Sequence, residues 1–206
     1  MNLLKTLLKR KVLMFTFVGL VFFLGFIFHF NLKNSIESGS VPLTANAMIL
    51  LEDGKVNFPL PVRLRILKIN VDATVEYVGL TSDGAMDVPK GPTPVAWYML
   101  GPKPGEIGSA VMAGHSGWRN NIPAVFDDLY KLEKGDKIYV EDDKGVTTTF
   151  IVREIRKYDP KADATDVFIS NDGKAHLNLI TCTGIWNKIN KSRSERLVVF
   201  TDKEME

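Results

Sequence analysis

Thiol attack on a carbonyl needs a thiolate, a cation that stabilises it, and donors for the oxyanion that develops. Three segments of this chain carry the side chains for that chemistry. In Ala113-Gly114-His115-Ser116-Gly117 a predicted strand ends in a histidine set between two glycines. In Leu179-Ile180-Thr181-Cys182-Thr183-Gly184 an apolar strand delivers the chain's single cysteine at its end, and in Arg196-Leu197-Val198-Val199-Phe200 an arginine opens the next strand. Strand ends are stiff and the loops beside them leave room for a substrate. Taken singly, each residue has a plainer reading: the cysteine as a small core residue, the histidine as part of a turn, the arginine as a solvated edge residue. His115 and Cys182 stand 67 positions apart, so spacing alone does not pair them.

The elements that must position these residues read as β-structure. From Pro61 onward the apolar period is two: Val71, Ala73, Val75 and Tyr77 alternate with Asp72, Thr74 and Glu76, as on a half-buried strand. Further strands are predicted at Ser109–Ala113, Lys137–Glu141, Val146–Tyr158, Ala175–Thr181 and Leu197–Asp202. Ser82-Asp83-Gly84 and Asp143-Lys144-Gly145 supply turns. The frequent Pro and Gly of Pro89–Gly108 predict a loop. One short helix is predicted near Ile122–Leu132, with Asn121 as its cap. Short strands at this spacing, with little helix, predict an all-β domain: a closed antiparallel barrel of about 140 residues.

The first 58 residues differ in kind. Val12 to Phe30 is a run of 19 residues without a formal charge, which as a helix spans about 28 Å, close to the hydrocarbon thickness of a bilayer. It ends in Ile27-Phe28-His29-Phe30-Asn31, which offers no small-x-small cleavage site, so an uncleaved signal anchor is predicted. His29, at the far end of the run, reaches the interface and needs no functional role. Lys5, Lys9, Arg10 and Lys11 precede the run and Lys33 follows it, which orients the amino terminus to the cytoplasm and the rest outside. The predicted organisation is therefore a basic tail (1–11), a transmembrane anchor (12–30), a linker (31–58) and a β-domain (59–206). A short helix is expected within the linker at the apolar patch Ala47–Leu51.

The formal charge of +2 is unevenly placed. With the four cations of the tail set aside, 22 basic side chains face 24 acidic ones, so the chain lacks the basic excess that phosphate neutralisation requires and nucleic-acid binding is not expected. A lone cysteine allows no intrachain disulfide. His29, His115, His176 and Cys182 lack zinc-ligand spacing. Asp127-Asp128 and Glu141-Asp142-Asp143 read as solvated faces rather than a calcium site, and no cofactor or metal is expected.

Taken together, the three segments resemble the sortases, cysteine transpeptidases that attach proteins to the bacterial cell wall. That family has a histidine after a small-Gly pair, a Thr-Leu-x-Thr-Cys stretch ending a strand, and an arginine opening the following strand. Here those positions read Ala113-Gly114-His115, Asn178-Leu179-Ile180-Thr181-Cys182 and Arg196-Leu197-Val198-Val199, in the same order. The likeness runs from Pro61 to Asp202, takes in Val78-Gly79-Leu80, Gly84-Ala85-Met86-Asp87-Val88-Pro89 and Trp97-Tyr98, and is most like the class F group. Asn178 departs from the motif's first Thr, and Arg193 lies three residues before Arg196; alignment on the apolar strand favours Arg196.

The resemblance implies Cys182 as nucleophile, His115 as general acid and base, and Arg196 as donor to the oxyanion or the peptide. Thr181, Trp118 and Trp186 are implied to help hold substrate or oxyanion, the tryptophans in loops His115–Asn121 and Thr183–Glu195. His176 shares the parity of Cys182, but the resemblance calls for no second histidine. The implied partners are secreted proteins bearing a sorting signal such as Leu-Pro-x-Thr-Gly, and an acceptor amine on lipid-linked peptidoglycan. A papain-like protease would reverse the order of Cys and His. An L,D-transpeptidase would place an arginine shortly after the cysteine, where Thr183-Gly184-Ile185 stands. The alternative from a different class is a membrane-tethered β-barrel that binds a wall component and buries Cys182.

Overall fold

From Pro61 the alternating residues form strands whose apolar faces meet in one interior. The computed structural model describes residues 51–52, 55–56, 58–188 and 192–205. The basic tail, the predicted anchor at 12–30 and most of the linker, with the helix expected at Ala47–Leu51, lie outside the described residues. Leu51 itself belongs to a two-residue strand, Leu51–Glu52, paired with Lys55–Val56. Among the described residues no helix is long and apolar enough to cross a membrane.

Among those residues eight strands close a barrel: β1 (Pro61–Ile66), β2 (Val71–Val78), β3 (Val95–Tyr98), β4 (Gly108–Ala113), β5 (Lys137–Asp142), β6 (Thr147–Tyr158), β7 (Ala175–Asn187) and β8 (Ser192–Lys203). Their order around the barrel is β8-β6-β5-β1-β2-β3-β4-β7. The interior is filled by Leu64, Ile66, Met112, Phe150, Leu179 and Val199, all fully buried, together with their neighbours. The two predicted turns are present: Gly84 and Gly145 take positive φ (83° and 79°), closing the bridge Leu80–Met86 and the β5–β6 hairpin. Only glycine adopts such φ without steric cost.

Four sequence expectations are corrected. The segment Pro89–Gly108 is not all loop, because it holds β3; Val95, Ala96 and Trp97 are buried in succession, so the strand shows no alternation to betray it. The barrel is not wholly antiparallel: β2 pairs β3, and β4 pairs β7, in parallel. Ile122–Leu132 is not a helix but a run of turns with one 3-10 turn at Leu129–Lys131. Asp127 decides this, since its carboxylate accepts from Gly117 N (2.5 Å) and Ala124 N (2.9 Å) and so ties the backbone into turns instead of a helical ladder. Finally, Thr183–Glu195 is largely strand, as β7 and β8 continue past the barrel with Trp186 opposite Arg193 and Thr183 opposite Glu195.

Strands β7 and β8 are buried on both faces along their middles. Inside lies the barrel core; outside lies the β6–β7 connection with its single α-turn, α1 (Thr165–Phe168). Val167 is fully buried there against Val198 and Phe200. Four residues cannot sustain a helix in water, so α1 exists by this packing and by its tethers.

The same burial accounts for His176. It lies six residues along β7 from Cys182, roughly 20 Å away at strand rise, and is 2% exposed. Its Nδ1 faces Asp202 (2.8 Å) and its Nε2 faces Asp172 (3.0 Å), while Arg153 also donates to Asp202 (2.7 Å). It is a clamp between β7, β8 and the loop before β7, at the end of β7 remote from the cysteine. The hydrogen bond from His176 holds the Asp172 carboxyl well below the usual carboxylate range, helped by the Lys174 N–H. A carboxyl so depressed adds stability above its ordinary pKa of about 4, and the gain is lost as pH falls through the folded value. Asp172→Asn is therefore expected to melt below the wild type at pH 7, with the gap closing as pH is lowered past 4; paired thermal melts at pH 7 and pH 3 check this.

Candidate active site

The histidine and the cysteine are brought together by the parallel pairing of β4 with β7. The register sets Ala113 beside Ile180, and the ladder continues one step as Gly114 N donates to Ile180 O (3.0 Å). The Thr181 hydroxyl, buried at 4% exposure, donates to Gly114 O (2.8 Å), and the Ser116 hydroxyl donates to Cys182 O. His115 sits between those two ties and so stands alongside Cys182. On the other side of β7 the antiparallel register places Arg196 opposite Cys182, and one strand further places Tyr158 opposite Arg196. Paired residues point to the same face of a sheet. His115, Cys182, Arg196 and Tyr158 thus form a row across the sheet, just past the end of β4, midway along β7 and β8, and at the last residue of β6.

All four line one cavity of about 460 Å³. Its floor is apolar, from Ile180 and Val198. One wall is the β2–β3 connection, from Leu80 to Pro89; the other is the β6–β7 connection, with Ala164, Val167 and Phe168. Cys182 is a free, half-buried thiol. His115 Nε2 lies 2.9 Å from Pro89 O. A carbonyl only accepts, so Nε2 carries a proton there and Nδ1 remains for exchange with another group. The imidazole is also packed by Trp118, ring centres 4.7 Å apart, and the Arg119 guanidinium lies over that indole at 5.9 Å. This fixes the ring's plane without occupying the cavity.

Arg196 reaches the cavity with its guanidinium held from behind: Nη1 donates to Arg193 O (3.2 Å) and Glu195 O (3.1 Å), and Nη2 to Ser192 Oγ (3.2 Å). Arg193 points elsewhere, donating to Gly184 O (3.1 Å) and lying against Gly117, and it is absent from the cavity lining. The arrangement supplies a thiol, an acid-base ring and a cation within one groove, the set that acyl transfer through a thioester uses. Of the remaining sequence candidates, Thr181 borders the cavity, but its hydroxyl proton goes to Gly114 O. Trp118 reaches it only through His115, and Trp186 is 53% exposed on the β7–β8 ladder outside the lining. Sequence reasoning missed Tyr158, whose position at the end of a strand was visible but whose alignment with Arg196 depends on register. It also missed Pro89 as the partner of His115.

A family model described as Sortase domain matches residues 64–204. Among solved structures, sortase C-1 from Actinomyces oris is 26% identical, with a TM-score of 0.56 over 70% of this chain and 73% of that one. Sortase C1 from Streptococcus agalactiae is 25% identical, with a TM-score of 0.56 over 70% of this chain and 67% of that one. A lid mutant of sortase A from Corynebacterium diphtheriae, at 24% identity and a TM-score of 0.56 over 72% of each chain, shares the fold. No curated protein sequence matches the chain.

The turn before the histidine allows no side chain. A Cβ on Gly114 would lie 2.5 Å from Phe126 Cδ2 and 2.7 Å from Val125 Cγ1, and Phe126 is buried at 1% exposure, with nowhere to retreat. Gly114→Ala is expected to cost about 1–3 kcal/mol through overpacking, read as a lower urea midpoint at unchanged slope. An unchanged midpoint would show that Phe126 does not pack there.

Proposed function

Because this chain belongs to the sortase family and is a cysteine transpeptidase, we propose that Cys182, His115 and Arg196 are its catalytic residues and that it acts on a sorting signal resembling Leu-Pro-x-Thr-Gly. The observation that supports the assignment is the register: Cys182 opposite Arg196, and His115 alongside it by the β4–β7 ladder, all facing one groove. The Cys182 thiolate attacks a backbone carbonyl of the signal, forming the S–C bond. As the C–N bond breaks, His115 gives its proton to the departing amine. An incoming amine then attacks the thioester, His115 takes a proton from it, and the thiolate leaves. Arg196 donates to the oxyanion at each tetrahedral stage, its guanidinium held in place by three donations made away from the groove. The apolar floor and walls, Ile180, Val198, Val167 and Phe168, suit a signal whose first residues are Leu and Pro.

The membrane and the wall enter the proposal from the sequence. A signal anchor at Val12–Phe30 holds the domain at the outer face of the cell membrane, with the amino terminus in the cytoplasm and the linker giving reach. The acceptor is an amine of lipid-linked peptidoglycan. The class F likeness rests on Gly84–Pro89, of which all but Asp87 line the groove, and on Trp97-Tyr98 in β3, where Trp97 Nε1 donates to Pro102 O (3.1 Å).

Incubation of the full-length chain with a panel of sorting peptides and amines, followed by mass spectrometry, should find a thioester on Cys182. Cys182→Ala should abolish peptide cleavage, and full activity in that variant would end the proposal. The two arginines separate cleanly. Arg196→Lys, losing the fork that spans carbonyls and oxyanion, should lower kcat by about 10²–10³-fold. Arg193→Lys should stay within about threefold, and the reverse result would transfer the role to Arg193.

A further inference from the structure

Tyr158 stands in the same row as Cys182 and Arg196, yet its hydroxyl does not serve the groove. The phenol donates to Asp166 Oδ2 (2.8 Å) and accepts from Arg156 Nη1 (2.9 Å), which itself donates to the same carboxylate oxygen (2.6 Å). Arg156 is fixed in turn by Glu154 (2.9 Å) and lies over the buried Phe200 ring at 4.1 Å. Asp166 belongs to α1, the turn that supplies Val167 and Phe168 to the groove wall. So the ring of Tyr158 forms part of the groove while its hydroxyl holds the wall next to it. Burial and the Asp166 hydrogen bond push the phenol up to about 12, so it keeps its proton and remains a donor at neutral pH.

Two further tethers reach the same turn. Asn178, 1% exposed on β7, donates from Nδ2 to Val167 O (2.6 Å), and Tyr98 from β3 meets the Phe168 ring edge-on at 5.7 Å. Asn178 is the position at which this chain departs from the motif's Thr. A four-residue turn with no helical stability of its own is thus held from β6, β7 and β3 before any peptide arrives. A wall built in advance lowers the ordering cost of binding.

We infer that Tyr158 is a positioning residue, which through Asp166 and Arg156 holds the α1 wall in its peptide-receiving place and thereby sets affinity for the peptide rather than the rate of acyl transfer. This rests on the sortase reading of the groove. Its test uses the full-length protein, with Tyr158→Phe, Asp166→Ala and the double variant. Two quantities are measured: kcat and KM for a sorting peptide, and amide hydrogen exchange of residues 159–168 without peptide. Each single variant should raise KM about tenfold, the size of one lost charge-assisted hydrogen bond, with kcat within twofold. Exchange across 159–168 should quicken while β4 and β7 keep their protection. The double variant should be no worse than the worse single, because both break one clasp.

Unchanged exchange would overturn the clasp. Faster exchange at unchanged KM would overturn its role in binding, and a fall in kcat at unchanged KM would place Tyr158 at the reacting atoms instead. If the wild type forms no thioester with any peptide, the sortase reading of the groove has failed. The exchange measurement then still decides whether Tyr158 holds α1.

Discussion

The parallel contact between β4 and β7 is the constraint on which the site depends. Neither strand follows the other in the chain, and the pair is joined at its site end by side chains as well as by the ladder: Thr181 to Gly114 O and Ser116 to Cys182 O. These ties come from the residues on either side of His115 and from Cys182 and its neighbour. The thiol and the imidazole are therefore positioned by the backbone that carries them, and neither relies on a long flexible side chain to find the other. Gly114 makes the contact possible by leaving space for Phe126 and Val125, which close the core beneath the turn.

A second constraint is the double burial of β7 and β8. A barrel strand ordinarily shows one face to water. Here α1 and its flanking connection cover the outer face, so both sides of each strand are buried through the middle, with Asn178 of β7 as a buried polar tether to α1. The groove lies where that cover ends, between the β6–β7 connection and the β2–β3 connection, and the row of His115, Cys182, Arg196 and Tyr158 emerges into it. Burial also sorts the two histidines of the domain. His176 is enclosed between Asp172 and Asp202 and serves the fold, whereas His115, with one nitrogen on Pro89 O and one face on Trp118, lines the groove. Parity along β7 put His176 and Cys182 on the same face, but parity says nothing about distance along a strand.

Most of the strands were legible because their alternation, or the turn residues between them, is a local signal. β2 shows the period of two, and Asp143-Lys144-Gly145 marks the β5–β6 hairpin. β3 was not legible: a four-residue strand whose first three residues are buried in succession, between prolines and glycines, carries no period. The supposed helix at Ile122–Leu132 failed for the opposite reason. Its apolar spacing suited a helix, but Asp127 bonds to Gly117 N and Ala124 N and bends the segment into turns that pack Phe126 under Gly114. No local pattern reveals a carboxylate whose partner lies ten residues away.

What the amino-acid order determined by itself was the chemistry available and the strands that carry it: one thiol, a histidine among glycines, an arginine before an apolar strand, and the motif that ties them to a family. The tertiary structure decided proximity. Arg196 rather than Arg193 faces the groove because strand register is a cross-chain property, and a slip of one residue would turn the side chain to the opposite face. Tyr158 joins the row, and Asp166 holds it, for the same reason. Local sequence encodes the period of a strand, while the offset between two strands comes from how the whole core fills, and it is that offset which sets a cysteine beside a histidine 67 residues away.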